Sequence, residues 1–160
     1  MSTPRWQRPL VRIASSRAGS WWFLNVANPI DKRLIPATNG RLSTAPGQPV
    51  LVIETVGAKS GQRRRIPLVY ARDGDDLVLI ASSCAAAKHP AWYHNVRKNP
   101  ELRVWGKGLS GDYVARIAEG AERERLWRKA TAVYRGYDTY KERAGARQIP
   151  VVVLSPKAAA

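Results

Sequence analysis

Residues 50–80 read V-L-V-I-E-T-V-G-A-K-S-G-Q-R-R-R-I-P-L-V-Y-A-R-D-G-D-D-L-V-L-I. Three short apolar, β-branched runs are separated by two turn signals, G-A-K-S-G-Q at 57–62 and D-G-D-D at 73–76. Runs of this length bounded by Gly and Asp read as strands, and turns this short join antiparallel neighbours. The pattern predicts strands at 50–56, 64–70 and 77–81. Pro67 lacks an N–H and marks its stretch as an edge or bulge.

Working outward, strands are expected at 102–105, 110–117 and 151–154. Helices are expected at 18–37 with a break at Asn28-Pro29, at 91–98 ended by Asn99-Pro100, at 119–135, and at 138–144 ended by Gly145. Six strands with helices appended, in a chain this short, give a mainly β fold built on a small barrel. There is no regular βαβ alternation and no G-x-G-x-x-G, so a doubly wound dinucleotide domain does not fit. The organisation reads as an N-terminal segment with an amphipathic helix at 1–42, a barrel domain at 43–156 and a tail at 157–160.

The chain has 160 residues, a length for one domain. Lys and Arg number 27 against 12 Asp and Glu, a formal charge of +15. The excess is spread evenly, at +6, +4 and +5 over residues 1–50, 51–105 and 106–160. A diffuse positive field favours anionic partners. Composition leaves nucleic acid, an anionic membrane surface and an anionic cofactor equally open. One cysteine, Cys84, excludes an intrachain disulfide and a thiolate zinc site. The N-terminus lacks the apolar core of a secretory signal, and no run reaches the ~20 apolar residues of a spanning helix, so a reducing cytoplasm is expected.

Three stretches could carry chemistry. The first is the glycine-bounded turn with Lys59, Ser60, Gly61, Arg63, Arg64 and Arg65, where backbone N–H groups and cations could meet a phosphate or carboxylate, or simply be solvated. Alternation points Arg63 and Arg65 one way and Arg64 the other. The second is S-S-C-A-A-A-K-H-P-A-W-Y-H-N at 82–95, with small side chains that let a planar ligand approach. Its His89 and His94 lack an obvious third metal ligand, Cys84 lacks a visible orienting group, and Trp92 reads as a helix anchor. The third is Tyr134, Tyr137 and Tyr140, spaced to share one side of a helix that Gly136 interrupts; they could stack on a ring, donate hydrogen bonds or fill a core. No paired carboxylates and no Ser–His–Asp pattern stand out, which favours a bound cofactor as the source of reactivity.

The run T-V-G-A-K-S-G-Q-R-R-R-I-P-L at 55–68 resembles the TTGRKSGQPRxxPL signature of the deazaflavin-dependent nitroreductase family, in its flavin/deazaflavin oxidoreductase A branch. So do D-G-D around Gly74, K-H-P-A-W-Y-H-N-V at 88–96, N-P-E at 99–101, A-V-Y-R-G-Y-D-T-Y at 132–140 and I-P-V-V-V-L at 149–154. The resemblance covers residues 45–156 in order. It implies a split β-barrel of the FMN-binding, pyridoxamine-phosphate-oxidase-like class and the coenzyme F-420, an 8-hydroxy-5-deazaflavin with a phosphate and a polyglutamate tail. Lys59, Ser60, Gly61, Arg63, Arg64 and Arg65 would hold the phosphate and tail, and Pro67 and Leu68 the ring side. Ser82 and Ser83 would line the ring and the substrate space, and Lys88, Ala91 and Trp92 match the family's loop–helix entry. Ser82, Tyr134, Tyr137 and Tyr140 would face the acceptor.

The implied activity is hydride transfer from reduced deazaflavin to a small-molecule electron acceptor: a quinone, an activated enone or a nitro-aromatic compound. No metal and no nucleic acid are implied. The N-terminal segment would cap the substrate site or touch the cytoplasmic face of a membrane, and the chain would be a monomer or a homodimer. The sequence departs from the pattern at Ser83-Cys84-Ala85, where relatives carry Gly-Gly, at Arg63, where they carry Pro, and at Val69, where they carry an aromatic residue. The alternatives are a coenzyme carrier with little catalysis and an FMN-binding split-barrel reductase.

Overall fold

The computed structural model describes Gly19, Trp22 and residues 26–45, 47–83 and 87–158. Six strands form a closed antiparallel barrel: β1 (Val50–Val56), β2 (Arg63–Asp73), β3 (Asp76–Ile80), β4 (Glu101–Gly106), β5 (Leu109–Ala118) and β6 (Val151–Pro156). Around the barrel the order is β1-β2-β3-β6-β5-β4. The helices bounded within the described residues are α1 (Asn28–Ala37), α2 (Ala91–Lys98), α3 (Gly120–Val133) and α4 (Gly136–Ala144). This is the mainly β, split-barrel architecture that the resemblance implies.

Strand alternation divides the apolar residues into three clusters. The barrel interior takes Leu51, Ile53, Leu77, Leu79, Leu102, Val104, Val152 and Leu154, and α2 closes it with Trp92, Tyr93 and Val96. Neighbouring residues face outward. Val78, Ile80, Val151 and Val153 lie under α3 and α4, against Leu126, Trp127, Tyr137 and Tyr140. Val50 and Val52 lie under Ile35 of α1. Residues 50–53 of β1, 77–80 of β3 and 151–154 of β6 are therefore buried on both faces, which is why these stretches read as unbroken apolar runs. Strands β4 and β5 keep one face toward solvent, and their burial alternates.

Pro67 sits where the sequence expectation put it, on an edge. Residues 63–69 of β2 pair with β1 only, and the pairing with β3 begins at Tyr70. The 73–76 turn is a two-residue hairpin with Gly74 at φ +65°.

Residues 28–37 of the expected N-terminal helix pack on the barrel. Asp31 is fully buried and accepts the Thr44 N–H and hydroxyl, both at 2.8 Å. Gly40 passes so close to β4 that a Cβ there would overlap the Gly106–Lys107 backbone. Most of the 18–27 stretch lies outside the described residues. No helix among the described residues is long and apolar enough to cross a membrane.

Candidate functional site

The β1–β2 turn closes on itself. The Gly57 N–H donates to the Gln62 carbonyl at 2.8 Å, and the Gly61 N–H to the Gly57 carbonyl at 2.9 Å. Gly61 has φ +67°, a conformation open to glycine. Lys59, Ser60 and Gly61 are exposed at its tip.

Register then fixes the arginines. Arg63 lies opposite Val56, Arg64 opposite Thr55 and Arg65 opposite Glu54. Arg63 and Arg65 share the outer face, and both reach the Glu54 carboxylate at 2.8 Å. Arg65 also stacks on Trp105, 4.7 Å from the ring centre. Arg64 takes the other face and donates to Gln62 Oε1 at 2.8 Å. Burial draws the Glu54 pKa upward, but hydrogen bonds from Arg63 and Arg65, with their charges, outweigh it and hold the carboxyl below its ordinary value.

Helix α2 pins this turn from below. Asn95 Oδ1 accepts the Ala58 N–H at 2.9 Å, and Asn95 Nδ2 donates to Thr55 Oγ1 at 3.1 Å. Lys98 Nζ donates to the Ala58 carbonyl at 2.7 Å, and Asn99 Nδ2 to the Val56 carbonyl at 3.3 Å.

The outer face of β2 leads from the arginines to the tyrosines. Arg63, Arg65, Pro67 and Val69 follow one another along it, and Tyr137 Oη donates to the Val69 carbonyl at 3.5 Å, a long contact. Four residues of strand separate Arg65 from Val69, roughly 13 Å. Tyr134 packs edge-on against Tyr137 at 5.1 Å between ring centres, and its hydroxyl lies 3.3 Å from that of Tyr140. The chain breaks helix between α3 and α4, as Gly136 foretold, and the Tyr134 ring lies directly over Gly136. Tyr137 and Tyr140 are buried; Tyr134 is half-buried.

Ser82, buried, follows β3 directly, and Ser83 takes φ +51°. Arg147, on the approach to β6, donates to the Ser82 carbonyl at 2.8 Å and to His89 Nδ1 at 3.0 Å. Burial first, then the charges of Arg147, His94 and Arg97, push the His89 pKa below its ordinary value. Cys84, Ala85 and Ala86 lie outside the described residues.

Three expected coenzyme contacts sit differently. Trp92 is buried in the barrel interior and anchors α2, because the inward face of that helix is the barrel's plug; it has almost no surface to offer a ligand. Leu68 faces the same interior, and Pro67 shares the outer face with Arg63 and Arg65 but is buried there. Lys88 and Ala91 are exposed. Glu54, Asn95 and Arg147 went unnoticed as site residues. Asn95 does fall within the quoted 88–96 stretch, while nothing in the local sequence signals the reach of Arg147.

The chemistry of the donor set fits an elongated anion. Arg63 and Arg65 flank one carboxylate, Glu54, with Arg64 on the opposite face and Lys59 at the turn, and this basic group lies at one end of a strand whose other end meets hydroxyl-bearing rings.

Residues 30–156 match the family model described as F420H(2)-dependent quinone reductase. An F420H(2)-dependent quinone reductase of Mycobacterium tuberculosis is 37% identical over 123 residues, covering 74% of this chain and 82% of that protein. A solved F420-H2 dependent reductase (FDR-A) is 37% identical with a TM-score of 0.61, covering 67% and 94%. A further solved relative, described as a domain-swapped dimer, is also 37% identical, with a TM-score of 0.62 over 67% and 80%. HutZ, a haem storage protein of Vibrio cholerae, shares the fold alone, at 12% identity and a TM-score of 0.50 over 71% and 84%. With the model matching most of its length and relatives above one-third identity, the chain belongs to the F420H(2)-dependent quinone reductase family.

Proposed function

We propose that this chain is a reductase that binds coenzyme F-420 along the outer face of β2 and reduces a quinone at the tyrosine end of that face. The observation that carries the reading is the continuity of one strand face from Arg63 and Arg65 to Val69 beneath Tyr137. When bound, the reduced deazaflavin supplies a hydride to a two-electron acceptor.

The chain's own residues bind, orient and protonate. Lys59, Ser60, Gly61, Arg63, Arg64 and Arg65 hold the phosphate and the anionic tail. Pro67 is buried on that face and acts through the shape of the strand, not by touching the ring. Ser82, Ser83, Lys88 and Ala91 border the other side. The Tyr134 hydroxyl, steadied by Tyr140, hydrogen-bonds the acceptor oxygen where negative charge develops and serves as its proton source. Tyr137 is held by its bond to Val69 and fixes the ring of Tyr134 edge-on. Activated enones and nitro-aromatic compounds offer an oxygen of the same kind and are secondary acceptors. By analogy with the solved domain-swapped dimer, the working assembly is a homodimer. The N-terminal segment, with Trp22 half exposed, supports peripheral contact with a membrane.

The test is a titration of the pure protein with oxidised F-420, FMN and FAD, followed by fluorescence, and then turnover of reduced F-420 with a soluble quinone. Selective F-420 binding with quinone-dependent oxidation is expected. Preference for FMN would replace the coenzyme assignment, and tight F-420 binding without turnover would make the chain a carrier.

A further inference from the structure

Arg147 joins two elements that border the proposed acceptor space. It lies three residues beyond the end of α4, the helix that carries Tyr137 and Tyr140. Its guanidinium reaches across to the loop after β3, donating to the Ser82 carbonyl and to His89 Nδ1. Its third nitrogen, Nε, is buried and has no partner among the described residues. The positive-φ residue Ser83 follows Ser82 directly, and His89 stands two residues before α2.

We infer that Arg147 is a positioning residue for Ser82, and that it acts only while His89 Nδ1 accepts its hydrogen bond. This rests on the proposed function, in which Ser82 and Ser83 border the coenzyme. The chemistry is one-sided. A guanidinium has five donors and no acceptor, so the pair exists only with His89 neutral and its proton on Nε2. Protonation replaces the acceptor with a donor and sets two cations against each other.

The surroundings of His89 reinforce this. On α2, Tyr93 and His94 face it at 5.0 and 6.1 Å between ring centres, and Arg97 adds positive charge from the same helix. From the start of α3, Glu119 and Arg123 share with it a cavity of about 460 Å³, also lined by Gln148. Among the described residues, Glu119 is the one carboxylate lining that cavity. Because the folded-state pKa of His89 lies below its ordinary value, the clamp is fully formed above about pH 6.5 and is lost as pH falls through the lower folded value.

The experiment combines kinetics and nuclear magnetic resonance. Steady-state kcat and KM with F-420 and a soluble quinone are measured between about pH 5 and pH 8 for the wild type, Arg147→Gln, Arg147→Lys and His89→Asn. Asn offers an acceptor oxygen near the Nδ1 position and does not titrate. The wild type should show an acid limb below about pH 6.5, and His89→Asn should lose it. Arg147→Gln should lower kcat/KM about tenfold, mostly through kcat, with Arg147→Lys recovering part of the loss. In the histidine spectrum of Arg147→Gln, the His89 midpoint should rise toward that of a free imidazole.

An acid limb that survives in His89→Asn overturns the inference. So does an Arg147→Gln enzyme with wild-type kcat and KM, or an unmoved His89 midpoint. If Arg147→Gln fails to fold, the His89→Asn profile decides alone. Failure of the wild type to bind F-420 removes the proposed function instead, and the His89 midpoint still reads the clamp.

Discussion

Asn95 and Ala58 meet across 37 residues of sequence: the Asn95 carboxamide oxygen accepts the Ala58 N–H at 2.9 Å, and its amide nitrogen donates to Thr55. One buried side chain thus sets both the start and the end of the approach to the basic turn. Asn95→Ala leaves the Ala58 N–H and the Thr55 hydroxyl without their partner. The expected cost is about 2 kcal/mol, read as a lower denaturation midpoint with an unchanged slope. F-420 affinity should fall with it, because the cations at 59–65 lose a fixed base. Wild-type affinity in the destabilised variant would separate the turn from coenzyme binding.

The cations should reveal themselves through salt. Lys59→Ala combined with Arg65→Ala should weaken F-420 binding and flatten the dependence of affinity on ionic strength, since two charges no longer engage the anion. Titrations at low and high salt check both. An unchanged slope would place the anionic tail elsewhere.

Glu54 is the carboxylate inside that cluster, bonded to Arg63 and Arg65. Glu54→Gln removes the competing negative charge and should tighten F-420 binding at low salt, at the expense of fold stability. The sign with pH follows from its lowered pKa. The Glu54 contribution to stability is complete above the ordinary glutamate value of about 4.3 and disappears as pH falls through the lower folded value. Acid unfolding of Glu54→Gln should therefore begin from a lower plateau and show a shallower pH dependence below about pH 4.3.

Tyr134 can be tested in two ways. Tyr134→Phe keeps the ring and deletes the hydroxyl, so kcat with a quinone should drop about tenfold while F-420 binding stays near normal. Gly136→Ala acts from behind, because the new methyl would occupy the space of the Tyr134 ring. It should lower kcat through displacement of that ring. Normal turnover in Tyr134→Phe removes the hydroxyl from proton delivery.

Much of the barrel was legible because alternation and turn chemistry are local. The Gly74 hairpin, the edge position of Pro67 and the opposed faces of Arg63 and Arg64 all follow from spacing. The ends of strands were less so: β2 runs on to Asp73, where its carboxylate meets Arg125 and Lys129 from α3. Those hydrogen bonds hold the Asp73 pKa well below the ordinary carboxylate range, an effect of tertiary contact that no local pattern contains. The same is true of the site. Lys59 and the arginines announce themselves by charge, whereas Asn95 and Arg147 act through backbone groups 37 and 65 residues away. The helix position of Trp92 points to an anchor, as its burial shows, and the resemblance alone points to a ligand contact.

The half of β2 that pairs on one side only bears on the protein's solubility. Over residues 63–69 the strand has β1 on one side and, among the described residues, no strand on the other. Such a margin invites another chain to add itself and continue the sheet. Here it opens with three adjacent arginines and carries a proline. A second copy approaching this margin would bring the same three charges against it. The residues that suit an anionic coenzyme thus also act as gatekeepers against aggregation, and exchanging them for neutral side chains would expose a sticky edge along with an emptier binding site.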